Sequence, residues 1–248
     1  MHGKLFTRDF LDEGITATAA WRELTPDRAS RFAADLQAIL AAFPVTGTPN
    51  EATTEQDLIV PILAALGWEH TLPQQSTSGR GRLDVPDLLL FGDEATKRAA
   101  QKERRDSDRF RHGLALVESK RWGRPLDRGD SNDPWEIGAP STQMLRYLSR
   151  AEAASDGAIR WGILTNGQHW RLYWQGARSR SEEFLELDLA ALSGVPEIQP
   201  HLAAPEVERR KHLLRVFLLL FRREAFLPDP ADAEGRTFHQ LALAESRL

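Results

Sequence analysis

The feature that most constrains this chain is residues 114–122, where an apolar run is followed directly by Glu118-Ser119-Lys120. The apolar residues have the length and composition of a strand that begins in a hydrophobic core. Because alternate side chains of a strand share a face, residues 114, 116, 118 and 120 are expected on one face and 115, 117 and 119 on the other. A carboxylate and an ammonium at a strand end suit metal-assisted phosphodiester chemistry. An ordinary surface ion pair has the same pattern, so the triplet alone leaves both interpretations open.

Length and composition bound the class of protein. A chain of 248 residues is expected to hold one large domain, or one domain with an appendage. The absence of cysteine excludes disulfides and thiolate metal sites and favours a reducing compartment. The first residues lack a signal-peptide core, and the longest apolar run, 216–221, is too short to span a bilayer. We therefore expect a cytoplasmic protein with no membrane contact.

The charge of the chain is unevenly distributed. A formal net charge of −4 disfavours indiscriminate binding of nucleic acid. Seven Lys or Arg residues nevertheless fall within 97–111, and three more Arg residues lie within 121–128. Local positive charge near an acidic site suits a surface that cuts DNA. The alternative for 97–111 is a solvated charged loop.

Two helices are predicted in the first third of the chain. The first runs over 25–43, with Thr25 as N-cap and a proline in the first turn. The second runs over 51–66, is ended by Gly67 and is kinked or loosened by Pro61. Glu51 and Glu55 extend the apolar stripe of this second helix. Either one of them approaches an active site, or both favour the helix N-terminus electrostatically.

Asp87 opens the apolar run 88–91, which predicts a strand buried on both faces. If this strand neighbours the one that ends in the triplet, Asp87 and Glu118 lie close together. Asp84 competes with Asp87 as the acid of the site, and Asp87 is favoured because it directly precedes the buried run. The preceding residues 71–82 are polar and predict a loop or hairpin.

The second half of the chain predicts a helix, a hairpin and further helices. Ser141 is expected to cap a helix that runs to about residue 154 and carries Gln143, Tyr147 and Arg150 on one face. Asn166-Gly167 lies between the apolar runs 158–164 and 169–174 and predicts a β-hairpin. The aromatic residues of this hairpin either pack in the sheet core, which is favoured, or stack on bases. A strand at 183–187 and helices at 206–223 and 235–248 follow. The last helix lacks a terminating signal, so we expect the chain to be a fragment of a longer protein.

In order, these signals resemble the PD-(D/E)XK nuclease superfamily, whose pattern is an aspartate followed by Glu or Asp, any residue, and Lys. The closer resemblance is to the N-terminal nuclease domain of type I restriction subunits, or of single-chain type II enzymes that fuse nuclease and methyltransferase. It spans about residues 51–190 and is carried by five segments of the chain: 57–68, 86–91, 117–122, Gln143 with Tyr147, and 161–173.

The chemistry of the candidate residues can be argued from their types. Phosphodiester hydrolysis needs charge neutralised on phosphoryl oxygens, an activated water and help for the leaving oxygen. Mg²⁺ prefers oxygen ligands and commonly takes one or two carboxylates, which Asp87 and Glu118 can supply. Lys120 can orient the attacking water, help to deprotonate it or stabilise the developing charge. The sequence leaves these three roles open.

The resemblance implies further roles and partners. It implies the backbone carbonyl of Ser119 as a metal ligand, Mn²⁺ as a substitute for Mg²⁺, and Gln143 as a catalytic residue, although Gln143 and Tyr147 could equally be hydrogen-bonded helix-surface residues. Double-stranded DNA is the implied substrate, with a methyltransferase or motor as partner and dimerisation for double-strand cleavage. The residues assigned to supporting roles are Glu51, Glu55 and Tyr147, and those assigned to DNA contacts are Arg121, Arg124 and Arg150.

We therefore expect an α/β fold with a central mixed β-sheet flanked by helices, of restriction-endonuclease type, with N- and C-terminal helical additions. The expected division is a helical segment at 1–50, a nuclease core at 51–190 and a helical extension at 191–248 that leads into a further domain. The expected function is a metal-dependent endodeoxyribonuclease of restriction–modification or phage defence. The alternatives are an inactive nuclease-like module that binds nucleic acid or a protein, and a nuclease that acts on RNA or single strands.

Overall fold

The apolar runs of the sequence form the centre of one mixed sheet. The computed structural model describes residues 1–44, 47, 49–73, 85–129, 138–193 and 204–247. Within these residues the strands are hydrogen bonded in chain order, and only β3 and β4 are parallel neighbours. The strands are β1 (Thr71–Pro73), β2 (Leu88–Leu90), β3 (Ala115–Ser119), β4 (Trp161–Thr165), β5 (His169–Trp174) and β6 (Phe184–Asp188). Residues 74–82 of the predicted polar segment, and the candidate acid Asp84 after it, lie outside the described residues.

Helices cover both faces of this sheet. In the described residues they are α1 (Arg8–Asp12), α2 (Ala19–Glu23), α3 (Pro26–Ala42), α4 (Glu51–Thr54), α5 (Val60–Ala65), α6 (Glu94–Lys102), α7 (Asp106–Arg109), α8 (Pro140–Ala154), α9 (Leu189–Ser193), α10 (Ala204–Phe221) and α11 (Phe238–Glu245). The predicted α/β class, with a mixed central sheet and flanking helices, is confirmed.

The side chains of β3 alternate between two hydrophobic clusters. Ala115 and Val117 pack with α3, α5 and α10, whereas Leu116 packs on the opposite face with α8. This is the alternation that the sequence predicts for a buried strand. Leu114 departs from the prediction, because it precedes the first strand residue and packs with the cluster of Ala115 and Val117.

The parallel pair β3 and β4 is joined by a crossover that contains α8, as parallel strands require. Gly162 on β4 allows α8 to approach closely, since a Cβ added there would lie 2.6 Å from the sulfur of Met144. The predicted cap at Ser141 is wrong. The helix begins at Pro140, with Ala139 in the N-cap position and no side-chain cap. Proline suits a first helical turn, where its missing N–H has no intrahelical acceptor.

The predicted helix 51–66 contains a π-helical turn in place of a simple kink. Residues Glu55–Ile59 are π-helical, and the N–H of Val60 donates to the carbonyl of Glu55. A proline ring clashes with the carbonyl four residues earlier in a regular α-helix, and Pro61 has no N–H to donate. The wider turn just before Pro61 accommodates both restrictions. Gly67 then ends the helix with a φ of +86°.

The basic segment 97–111 is mostly helical and lies away from the strand ends that carry the acids. It falls within α6, α7 and a short 3₁₀ turn at Phe110–His112, so the loop interpretation is wrong. β2 and β3 are antiparallel, which places the connection between Leu90 and Ala115 at the end of the pair opposite to Asp87 and Glu118. The expectation that this segment supplies positive charge beside the acids is therefore also wrong.

The terminal segments pack onto the same core as the central strands. Leu36 of α3 and Phe217 of α10 belong to one hydrophobic cluster with Val117 and Ile163 of the sheet. The hairpin around Asn166-Gly167 is present, and its aromatic residues Trp161, Trp170 and Tyr173 are buried, which confirms core packing over base stacking for these three. The predicted boundaries at residues 50 and 190 remain predictions.

Candidate active site

Asp87 and Glu118 lie at the same end of two hydrogen-bonded strands. Leu88 pairs with Val117 in the antiparallel register of β2 and β3, so the residue before Leu88 meets the residues after Val117. The N–H of Ser119 donates to Oδ2 of Asp87 at 2.7 Å. The backbone that carries Glu118 is thereby tied directly to the side chain of Asp87.

Glu118 and Lys120 form a buried ion pair. Nζ of Lys120 donates to Oε1 of Glu118 at 2.8 Å, and the two residues are 6% and 2% exposed. These exposed fractions exclude an ordinary surface ion pair, which would be solvated on both sides. The N–H of Lys120 also donates to the carbonyl of Thr165 at 2.8 Å, which continues the parallel pairing of β3 and β4 past the end of the strand.

Burial dominates the electrostatics of the two acids. It raises the pKa of Asp87 to about 7, with smaller contributions from Glu55 and Glu51 that the N–H of Ser119 and the charge of Lys120 oppose. Burial and, to a smaller extent, the nearby Asp87 together raise the pKa of Glu118 to about 8, against the opposing charge of Lys120. Two carboxylates in one poorly solvated place resist double ionisation.

Lys120 responds in the opposite direction to the acids around it. Burial alone would lower the pKa of Lys120, but the carboxylates of Glu118 and Glu51 outweigh this effect and raise the pKa above its ordinary value. The ammonium group therefore stays protonated at neutral pH. This favours Lys120 as a fixed cation over Lys120 as a base.

The donor set fits a hard divalent cation. Oε2 of Glu118 is buried and has no hydrogen-bond partner within the described part of the chain. A cation beside this oxygen would satisfy it and would lower the repulsion between the two acids. No group of three or more His, Cys, Asp or Glu side chains gathers as a metal site among the described residues. The fit therefore rests on two carboxylates, a number that is common for Mg²⁺.

The helix 51–66 presents both of its glutamates toward the site. Oε2 of Glu51 lies 3.9 Å from Nζ of Lys120. The charge of Glu55 contributes to the raised pKa of Asp87, more strongly than that of Glu51. The interpretation that these acids only favour the helix N-terminus is therefore insufficient, since both act on groups of the site.

Gln143 and Tyr147 approach the site from α8. Nε2 of Gln143 donates to the Tyr147 hydroxyl at 2.6 Å. Tyr147 is buried, and its pKa is raised first by burial and then by the negative charge of Glu118. The helix thus brings the two predicted side chains into one hydrogen-bonded pair on the face of the sheet that Glu118 occupies.

The three predicted DNA-contacting arginines differ in position. Arg121 follows Lys120 directly and is half-buried. Arg150 is exposed on α8, about 10 Å along the helix axis from Gln143. Arg124 is 1% exposed, and its Nη1 donates to the carbonyls of Pro125 and Arg128. The prediction that Arg124 contacts phosphates does not suit this position, because its guanidinium group braces its own loop.

Two neighbours of the site were not among the predicted residues. The Thr54 hydroxyl accepts the N–H of Trp122 at 3.0 Å, and Thr54 is fully buried. Nδ2 of Asn166 donates to the carbonyl of Arg124 at 2.8 Å. The Asn166-Gly167 dipeptide indicates a turn, but a local pattern carries no information about contacts with a segment some 40 residues earlier.

Comparisons with known proteins give one family. The family model described as "MmeI, N-terminal domain" matches residues 17–216. A search of curated proteins and a search of solved structures give no significant match. In the part of the chain that the structure describes, every helix is too short or too polar to cross a membrane.

Proposed function

The chain belongs to the family of the MmeI N-terminal domain, and from this membership and the geometry of Asp87, Glu118 and Lys120 we propose that it is a metal-dependent endodeoxyribonuclease. MmeI is a fused type II restriction–methyltransferase enzyme, and its N-terminal domain is the nuclease domain. The chain is thus a nuclease-type domain of restriction–modification systems. The observation that carries the finer proposal is the buried pairing of Glu118 with Lys120 beside Asp87.

The proposed mechanism assigns each residue a task. Asp87 and Glu118, with the Ser119 carbonyl by resemblance, would hold Mg²⁺ or Mn²⁺. The bound ion would neutralise charge on the scissile phosphate and lower the pKa of a bound water. Lys120, protonated and pinned by Glu118, donates hydrogen bonds toward the attacking water or a phosphoryl oxygen. The pair of Gln143 and Tyr147 orients the phosphate or the water from the side of α8.

The experiment is cleavage of unmodified double-stranded DNA by this chain with Mg²⁺ or Mn²⁺, with RNA and single-stranded DNA offered in parallel. We expect duplex DNA to be cut, and Asp87→Asn, Glu118→Gln and Lys120→Ala each to lower the rate by at least about a hundredfold. Glu224→Gln is the matched control, because it removes a half-buried carboxylate next to Arg223, which donates to the Gly92 carbonyl at the other end of β2. Cleavage by Glu118→Gln at the rate of the parent would refute the assigned site.

Metal binding distinguishes the proposed enzyme from an inactive nuclease-like module. Calorimetry with Mn²⁺ is expected to show binding by the parent and its loss in Asp87→Asn. DNA binding without Mn²⁺ binding would favour the inactive module. Two further parts of this proposal are association with a methyltransferase, as in MmeI, and dimerisation for double-strand cleavage. The molecular mass of the protein bound to DNA in solution tests both.

A further inference from the structure

The β4–β5 hairpin contacts the segment that follows the Glu118-Ser119-Lys120 triplet, here called the site loop (residues 120–129). The carbonyl of Thr165 accepts the N–H of Lys120 at 2.8 Å, and Nδ2 of Asn166 donates to the carbonyl of Arg124 at 2.8 Å. Asn166 is 2% exposed. Two consecutive residues of the turn are thus hydrogen bonded to the backbone of the site loop.

The side chain of Asn166 performs two tasks at once. Its Oδ1 accepts the N–H groups of Gln168 and His169 at 3.0 and 2.7 Å, which closes the turn. Its Nδ2 holds Arg124 of the site loop. Aspartate could accept the same two turn hydrogen bonds but could not donate to the carbonyl of Arg124. The two tasks can therefore be separated by one substitution.

Gly167 completes the contact between the turn and its neighbours. It has a φ of +83°, and a Cβ added there would lie 2.4 Å from Leu58 and 3.4 Å from Trp122. Leu58 belongs to the π-helical turn that carries Glu55, and Trp122 belongs to the site loop. The turn therefore packs between two segments that carry charged residues of the site.

A second anchor joins the same hairpin to the far part of the site loop. Nη1 and Nη2 of Arg171 on β5 donate to Oδ1 and Oδ2 of Asp127, both at 2.6 Å. Arg171 is only 4% exposed and is also paired with Glu186. A bidentate arginine–carboxylate pair fixes orientation as well as distance. The site loop is thus held at Lys120, Arg124 and Asp127 by one hairpin.

We propose that the β4–β5 hairpin is a positioning element of the active site, with Asn166 and Arg171 as positioning residues that fix the loop carrying Lys120. This inference rests on the proposed function for its catalytic meaning. Neither Asn166 nor Arg171 touches Asp87, Glu118 or Nζ of Lys120. Each acts through the site loop, in the way that outer hydrogen bonds orient the groups that hold a metal.

Hydrogen exchange and Mn²⁺ calorimetry test the proposal on the full chain. In Asn166→Asp, we expect amide exchange in residues 120–124 to speed up about tenfold, as expected for one lost hydrogen bond. We expect Mn²⁺ affinity to weaken about tenfold. Gln168→Ala is the matched control from the same turn, because its side chain bonds Asp188 and not the site loop. It should change neither quantity.

Exchange in residues 210–221 reports whether a variant remains folded. Parent-like exchange and parent-like Mn²⁺ affinity in a folded Asn166→Asp variant would overturn the proposal. If Asn166→Asp does not fold, Asp127→Asn decides, since Asp127 is largely exposed and belongs to the second anchor. Faster exchange of the site loop in Asp127→Asn supports the proposal, and unchanged exchange overturns it. Failure of the parent itself to bind Mn²⁺ would instead count against the proposed function, while the exchange result would still report on the loop.

Discussion

At the scale of single residues, the candidate site is a group of charges held where water is scarce. Glu118 accepts a hydrogen bond from Lys120, whereas Asp87 accepts one from the N–H of Ser119 and lies within the field of Lys120. Burying ionised groups is costly unless each is paired and hydrogen bonded. Within the described residues, Oε2 of Glu118 has no hydrogen-bond partner, and this is the atom at which the compensation is incomplete. The proposed cation would complete it.

The raised pKa values of Asp87 and Glu118 predict how stability depends on pH without metal. Their ordinary values are 3.8 and 4.5, and their values in the folded chain are about 7 and 8. At a pH between the ordinary and the raised pKa values, Asp87 and Glu118 keep protons in the folded state that they have released in the unfolded state. The free energy of unfolding from these groups therefore falls as pH rises from about 4 to about 8. Lys120 contributes no slope there, because it stays protonated in both states.

Urea denaturation with EDTA at pH 5, 6, 7 and 8 measures this slope. Relative to the parent, the double variant Asp87→Asn/Glu118→Gln should lose the decline and gain stability at pH 8 by a few kcal/mol. Added Mn²⁺ should restore the parent at pH 8 by binding the folded state. Parallel pH profiles for the parent and the double variant would contradict the assigned pKa shifts.

At the scale of elements, close packing of helix on strand places the side chains of the site. α8 lies on β4 where Gly162 leaves room for Met144 and Leu148, and the same helix presents Gln143 and Tyr147. The π-helical turn before Pro61 has a comparable role on the other side of the site. It allows the helix to continue through a proline that would otherwise break it. Glu51 thereby stays near Lys120, and Glu55 near Asp87.

Gly162→Ala tests the contact between α8 and β4. The added methyl group would meet the Met144 sulfur at 2.6 Å and Leu148 at 3.2 Å. We expect a loss of about 1–3 kcal/mol in the free energy of unfolding, typical of overpacking, measured by urea denaturation. Gly138→Ala is the control, because a Cβ there meets no atom of the described residues within 4 Å and its φ is not positive. Equal stabilities of the two variants would show that α8 does not depend on this close approach.

At the scale of the whole molecule, the sheet separates two kinds of charge. The acids lie at one end of β2 and β3, and the basic segment 97–111 begins from the other end. Surface charge acts strongly only within about a Debye length of 8–10 Å. Basic residues near the site loop are therefore better placed to contact the scissile region of DNA than the more numerous ones in α6 and α7.

This separation predicts different effects of two charge removals on DNA cleavage. Arg121→Ala, beside Lys120, should lower kcat/KM about tenfold, as for loss of one charged phosphate contact. Arg104→Ala/Arg105→Ala removes two exposed charges that follow Glu103, whose side chain pairs with His112 just before β3, and should change kcat/KM less than about twofold. Cleavage rates of the parent and the two variants at 50 and 150 mM salt measure both changes in kcat/KM. A larger loss from the double variant would place the DNA path across α6 and α7.

The sequence by itself determined the buried strands β2 and β3 and placed Asp87 and Glu118 at their ends. Alternation from Ala115 to Lys120 and the apolar run after Asp87 are local patterns, because a strand's period of two shows directly which residues share a face. Thr25 and Gly67 likewise mark helix ends by local backbone preferences, and both lie where predicted.

Only the tertiary structure decided burial, register and long-range contacts. The burial of the Glu118-Ser119-Lys120 triplet was decided by the sheet and α8, because burial depends on elements far apart in the chain. The burial of Arg124 in its loop, the position of 97–111 at the opposite sheet end and the contact of Asn166 with the site loop follow from strand pairing. Pairing joins residues tens of positions apart, and short patterns contain no information about such contacts.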